Sequence, residues 1–439
     1  MRAQTALGAL LGTGMLVAAG GLFPATANAS GWGKPFRLTQ PYTTDLTPVE
    51  LTMSSRGDAA AAFSVQDEDN PAASDPFIAI RAARGGVSPP FAVPGAQLVL
   101  DLGYDRNGLT LLTGTSEPGK ACCSTVQSQS LLRNGRFGRA STIVSKLTGA
   151  TVGSLTPLPS GTLLAAIATD RGVWVAQSRP GGGFGPTQRV TGAAAMPWTM
   201  AATASARGQT AVAWTETKGQ QGEVAPSTVY AAGGSGSAAP GRAHPAFTAP
   251  AGHAVDDVGL APAAGGITAA WIETWFDRRG AYHAQTVLSD LGAGAGRRVL
   301  SVAGQAASGL VFAGDTRGDQ IVAWRSCASS GSCTLRAAVR PAGGSFDSAQ
   351  ALGAIDPGQS PAAAVSANGD ALVGWISSGH VLAAERRPGG RRLGAARTIS
   401  STSFASGLAL AFGGTGSALA AWTQGTLAPD VVGAAFRGP

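Results

Sequence analysis

The chain has 439 residues, of which 44% are hydrophobic and only 13% charged, while 63 are glycine. Few charges and many glycines point to many turns joining segments that are covered on both faces. The formal charge is +7, but the 32 basic residues, 28 of them Arg, are scattered beside Gly or Pro. Without a clustered basic stripe the chain lacks the footprint of a nucleic-acid binder.

Residues 1–29 read as an export leader. Arg2 precedes an apolar stretch over residues 6–23, and Ala27-Asn28-Ala29 forms a small-x-small cleavage site before Ser30. Gly8, Gly12, Gly14 and Gly20 interrupt the stretch, which is short for a membrane span. No cysteine stands at the cleavage point and no apolar tail precedes the terminal "AAFRGP". The expectation is a leader over 1–29, one exported domain over 30–439 with no membrane span, and a place outside the cell or in its envelope.

From residue 54 onward one pattern recurs: "SSRGDAAAAF", "DRNGLTLLTG", "LPSGTLLAAI", "SARGQTAVAW", "PAAGGITAAW", "DTRGDQIVAW", "SANGDALVGW", "GGTGSALAAW". A turn glycine is followed six residues later by a position that is usually large: Gly57/Phe63, Gly108/Gly114, Gly161/Ile167, Gly208/Trp214, Gly265/Trp271, Gly318/Trp324, Gly369/Trp375 and Gly416/Trp422. Successive glycines lie 51, 53, 47, 57, 53, 51 and 47 residues apart. Self-similarity at that period marks a repeat architecture.

Each unit opens with an apolar run, the glycine turn and a second apolar run, which is a hairpin. The second run, as in "QIVAW", is apolar at odd and even positions alike, so both of its faces are covered. The residue before the large position is small in every unit: Ala62, Thr113, Ala166, Ala213, Ala270, Ala323, Gly374, Ala421. That alternation predicts sheets stacked in series, each tryptophan lying over its neighbour's alanine. A third run ("CTLRAAVR", "HVLAAERR") often ends in Arg, and a fourth places an aromatic or Leu six residues before an aliphatic, as in Phe184/Val190 and Leu393/Ile399.

Four short antiparallel strands per unit form the blade of a β-propeller. Trp32 and Leu38 carry the fourth-strand spacing, while the eighth unit stops after its third strand at Phe436-Arg437-Gly438-Pro439. The prediction is an all-β, single eight-bladed β-propeller in which the N-terminal strand completes the last blade and removes an open edge. Seven blades is the alternative, with the divergent second unit, whose large residue is Gly114, forming something else. The chain resembles β-propeller repeat proteins at superfamily level over nearly the whole mature length. The Asp-box of sialidase-like propellers is absent, and the superfamily hosts many unrelated functions.

In this architecture the connections from second to third strand, and from blade to blade, share one end of the ring, where recognition is usually built. Blade five offers the richest of these connections: Glu273, Trp275, Asp277, Arg278, Arg279, Tyr282 and His283. Aromatic, guanidinium and carboxylate groups together suit a sugar or an anionic ligand. Glu216 of blade four stands two residues after its tryptophan, as Glu273 does, so the two form a candidate acid–base pair on adjacent blades. Four cysteines in an exported chain predict disulfides: Cys327 with Cys333 across one hairpin, and Cys122 with Cys123 as a strained pair of neighbours stiffening a loop or lining a ligand pocket. The neighbouring cysteines and the blade count also resemble eight-bladed quinoprotein alcohol dehydrogenases. That family's docking repeats and calcium-ligand pattern are absent here.

Other motifs dissolve on inspection. Arg56-Gly57-Asp58 and Arg317-Gly318-Asp319 are the repeat's own turns. Asp67, Glu68, Asp69, Asn70 and Asp75 lack the spacing of a calcium loop. His244, His253, His283 and His380 show no metal-ligand spacing, and no G-x-S-x-G occurs. The functional expectation is an exported binding module that recognises a glycan or a protein through its loops, with no metal and no cofactor. A carbohydrate-active hydrolase or lyase on the same face is the alternative, and a quinoprotein-type dehydrogenase a remote one.

Overall fold

The computed structural model describes residues 31–42, 46–47, 49–66, 74–116, 123–132, 135–147, 149–180, 182–192, 196–217, 227–235, 240–291, 296–401, 403–425 and 431–438. The expected leader, Cys122 and the acidic stretch 67–70 lie outside them. The described residues form eight four-stranded antiparallel sheets, one per repeat. The divergent second unit is an ordinary blade, with Gly114 paired to Leu98 and Val126, so the seven-bladed alternative falls away.

The innermost strands are Glu50–Met53, Leu98–Asp105, Ala150–Pro157, Met196–Ala204, His253–Ala263, Ala306–Gly314, Ala362–Val365 and Ala405–Phe412, each neighbouring the next around the axis. Blade eight contains Ala405–Phe412, Ala418–Gln424 and Val431–Arg437, and Phe36–Arg37 is its outer strand. Phe36 pairs with Ala434 and Arg37 with Gly433; Leu38 N donates to Val432 O at 2.8 Å and Gly33 N to Phe436 O at 2.8 Å. The two chain ends close the ring as the strand spacing predicts.

The turns between first and second strands follow local chemistry. In blade six Asp315 Oδ1 accepts from the amides of Arg317, Gly318 and Asp319, and Ser54 and Ser366 Oγ play that part in blades one and seven. Gly318 has φ +98°, and a Cβ there would lie 2.4 Å from Ala264 N of the preceding blade, so only glycine fits. Both Arg-Gly-Asp tripeptides sit in these turns.

The core lies between blades, one cluster per junction. Trp214 packs with Ala166, Trp271 with Ala213, Trp324 with Ala270, Trp375 with Ala323, and Phe63 with Ala421. Each large residue therefore covers the small residue of the preceding blade. All five tryptophans of the repeat position, Trp422 included, are at most 1% exposed. Cys327 and Cys333 are bonded across the blade-six hairpin. No helix among the described residues is long and apolar enough to cross a membrane.

Candidate functional site

Strand direction fixes which groups share an end of the ring. Innermost strands start, and second strands finish, at the same end as the connections from second to third strand. Among the described residues blade five has the longest second strand reaching that end. Its central strands, Gly266–Phe276 and Tyr282–Asp290, are 11 and 9 residues long. The tight turn between them is organised by Asp277, whose Oδ1 accepts from Arg279 N at 2.8 Å and Ala281 N at 2.9 Å. The Ala281 amide, the His283 hydrogen bond and the Arg279 amide hold the Asp277 carboxyl below the usual carboxylate range.

Direct cross-strand pairing puts His253, Trp275 and His283 in one row. The rings stack, with centroids 4.7 Å apart at 8° for His253 on Trp275 and 5.2 Å at 14° for Trp275 on His283. Both histidines are anchored. His283 Nε2 lies 3.2 Å from Asp277 Oδ2, and His253 Nδ1 lies 2.6 Å from Glu273 Oε1. Glu273 is fully buried, and its other oxygen accepts from Arg297 Nη2. At the tip Phe276 and Tyr282 face each other, 69% and 51% exposed, their ring centroids 5.5 Å apart. Arg278 is exposed beside them and makes no hydrogen bond or ion pair among the described residues.

Blade five therefore gathers Glu273, Trp275, Asp277, Arg278, Tyr282 and His283 on one hairpin, with buried Glu273 orienting the stack from below. Glu216 stands apart, on blade four. Its Oε1 accepts from Trp214 Nε1 at 2.7 Å, as Gln424 Oε1 accepts from Trp422 Nε1 at 2.9 Å, so it caps its own blade's tryptophan. Glu216 and Glu273 share no hydrogen bond. Cys123 is fully buried in the junction between blades two and three, beside Leu112 and Val126; its proposed bond to Cys122 falls outside the described residues. Among the described residues no group of three or more His, Cys, Asp or Glu side chains is placed to hold a metal ion.

Sequence reasoning missed two further features of this end. Trp198, the bulged residue at the start of Met196–Ala204, is 60% exposed, and Phe404, just before Ala405, is 57% exposed. With Phe276 and Tyr282, the four exposed aromatic residues among those described all stand at the loop end.

The second feature is a cavity of about 440 Å³ near the axis, lined by Thr47, Glu50, Phe63, Ser64, Leu100 and Asp101. Gly153, also on its lining, is packed so closely that a Cβ there would lie 2.5 Å from Leu112 Cδ2. Asp101 accepts from Leu102 N at 2.7 Å and from Leu155 N of the next blade at 2.6 Å. Glu50 makes no hydrogen bond to the described residues. Although its surface is open to the cavity, the protein crowding it disfavours a charge. That desolvation, with the neighbouring Asp101 charge, raises its pKa to about 8. Desolvation also raises Asp101 to about 6, against the pull of its two amide donors. At neutral pH the pair holds about one proton. The signal available in the sequence was a lone acid inside each of two apolar innermost strands, "VELTM" and "LVLDLGY".

No family model and no curated protein matches the chain. Among solved structures it is similar to a protein of unknown function from Dyadobacter fermentans DSM 18053, at 12% identity over 93% of this chain and 99% of that one, with a TM-score of 0.43. An α-L-arabinanase of Penicillium chrysogenum complexed with arabinobiose aligns at 12% identity over 92% and 98%, TM-score 0.42. An ulvan polysaccharide lyase aligns at 10% identity over 90% and 94%, TM-score 0.46. Likenesses this distant carry no functional argument; the fold rests on the strand pairing of the chain itself.

Proposed function

We propose that the protein is an exported glycan-binding module whose loop end, led by the blade-five hairpin, docks a saccharide chain. The observation that carries this reading is the segregation of the exposed aromatic rings, Trp198, Phe276, Tyr282 and Phe404, to that one end. Rings with a free face and a polar surround stack on the apolar faces of sugars, and Arg278 adds an unpaired cation for an acidic polymer. The Cys327–Cys333 disulfide fits an oxidising location outside the cytoplasm. We propose accordingly that residues 1–29 are removed on export.

The test is binding of the mature protein to a panel of neutral and acidic polysaccharides by affinity electrophoresis and calorimetry. A Phe276→Ala/Tyr282→Ala variant is expected to lose about tenfold or more in affinity with unchanged melting, since both rings are exposed. Equal binding by the variant, or no binding by the wild type across the panel, overturns the reading.

A second reading is favoured by the axial cavity. A coupled carboxyl pair that keeps a proton at neutral pH is equipped for acid–base cleavage of a saccharide, with Glu50 as acid and Asp101 as base. Product analysis on any polysaccharide that binds separates the readings. Turnover lost in Glu50→Gln with binding intact supports an enzyme, and no turnover leaves a binding module.

A further inference from the structure

In blades one, six, seven and eight the third strand carries a clamp between blades at the end of the ring opposite the loops, while the same position is Ser130 in blade two and Ser178 in blade three. The clamp residue pairs with the position four before the large residue: Arg81 opposite Ala59, Arg340 opposite Gln320, Arg386 opposite Ala371, Arg437 opposite Ala418. Each of these arginines reaches the preceding blade. Arg340 Nη1 lies 3.3 Å from Asp290 Oδ1, and Arg437 Nε lies 2.9 Å from Glu385 Oε2. Arg81 lies over the Phe436 ring at 3.5 Å. Asp290, Glu385 and Phe436 occupy one repeat position, opposite the residue three before the large one. In blade six that position is Val339, and Arg386 turns instead to Asp319, at 2.6 Å.

Between blades four and five both halves of the clamp are missing. The arginine position of blade five is Leu291, whose amide donates to Ile267 O, and the acceptor position of blade four is Gly233, opposite Ala211. Blade four's own arginine position is Gly234, opposite Thr210. What stands there is a cavity of about 380 Å³ lined by Gln209, Thr210, Gly233, Gly234, Ile267 and Leu291 among others. Its volume falls in the range of small-molecule pockets, roughly 300–1,000 Å³. Gln209 and Thr210 line it, and Thr210 Oγ1 and Gln209 Oε1 are buried polar atoms with no hydrogen-bond partner, Thr210 being only 4% exposed. Both occupy positions that accept from arginine in other blades: Gln209 corresponds to Asp319, and Thr210 to Gln320, whose Oε1 lies 3.4 Å from Arg340 Nη1. With Gly234 and Leu291 in the arginine positions, both acceptors stand unpaired. Natural interiors rarely leave such groups unpaired.

The chemistry of the wall selects the ligand. Among the described residues that line it there is no carboxylate and no guanidinium, and exposed His244 is the one titratable group. A buried cation would stand there without the counter-ion that every acid-paired clamp supplies. A purely apolar molecule would leave both acceptors unpaired. We infer that the cavity between blades four and five binds a small uncharged polyol, of monosaccharide type, its hydroxyls donating to Gln209 Oε1 and Thr210 Oγ1 and its ring packed on Ile267 and Leu291. This site is separate from the loop end, and its failure would leave the loop-end reading untouched.

The experiment titrates mature protein, labelled at Ala, Ile and Leu methyls, with trans-1,2-cyclohexanediol. Agmatine serves as the cationic control. Saturable shifts are expected at Ala231, Ala232, Ile267 and Leu291, which line the cavity, and none with agmatine. Thr210→Val keeps the shape and is expected to weaken binding roughly tenfold, the worth of one hydrogen bond. The pair Gly233→Asp and Leu291→Arg rebuilds the Asp290–Arg340 clamp and is expected to abolish the shifts and raise the melting temperature. A Cβ at Gly233 meets only Thr210 O, at 3.7 Å, so the change is accommodated. No saturable shift with the diol, or equal shifts in Thr210→Val, overturns the site. Tighter binding of agmatine overturns the ligand class. Should the double variant fail to fold, Thr210→Val alone decides.

Discussion

Glu50→Gln isolates the axial proton. In the unfolded chain Glu50 titrates near 4.5, and in the ring its pKa stands at about 8. Below pH 4.5 both states are protonated and folding is unaffected by the group. Between pH 4.5 and 8 the unfolded chain releases the proton while the folded ring keeps it, so stability falls as pH rises. A fully sealed group would lose about 5 kcal/mol over that window at 1.36 kcal/mol per pH unit. Glu50 keeps contact with water in the cavity, and screening reduces the loss to about 1–3 kcal/mol. With the proposed leader removed, a chain of about 410 residues unfolds with roughly 0.9 kcal/mol per degree of entropy, so the loss corresponds to about 1–3 °C. The Gln variant does not titrate. Its melting temperature relative to wild type should therefore rise by that amount between pH 4 and 8 and stay level above. Parallel thermal melts followed by circular dichroism across that range measure it. A difference that does not change with pH, or that shrinks as pH rises, would refute the protonated-carboxyl account of the cavity.

Ring closure is tested by Leu38→Asp, which places an unpaired charge at a site only 4% exposed and costs about 3 kcal/mol or more. Amide exchange should then accelerate in 431–437 before it does in blade four; uniform exchange would contradict closure through this strand. Reducing Cys327–Cys333, or changing both to Ser, opens a loop with a sequence separation of 6 and should lower stability by about 2 kcal/mol in urea titrations. An unchanged midpoint would show that the hairpin needs no clip.

The fold was legible because its determinants are local and repeated. The turn glycine and the small–large alternation of the second strand both follow from contacts that every blade makes, such as Trp324 on Ala270 and Gly318 against Ala264. Ring closure was legible for the same reason, since Trp32 and Leu38 repeat a spacing seen elsewhere. The site was read only in part. The blade-five residues lie within one hairpin, so their assembly follows from strand register. Their roles did not: Glu273 proved to be buried beneath the stack, and Glu216 a cap on Trp214. The axial pair escaped because Glu50 and Asp101 lie on different blades and meet only when blades one and two stack. The empty clamp escaped because it consists of two absences, Gly233 and Leu291, visible only once strand pairing shows what their counterparts do.

The most direct test of glycan recognition at the loop end is hydrogen exchange of the mature protein with and without the polysaccharide that binds it best. Protection should fall on 253–256, on 274–284 around the stacked rings, and on the segments holding Trp198 and Phe404. Protection confined to the glycine turns at the opposite end, or spread evenly around the ring, would contradict it.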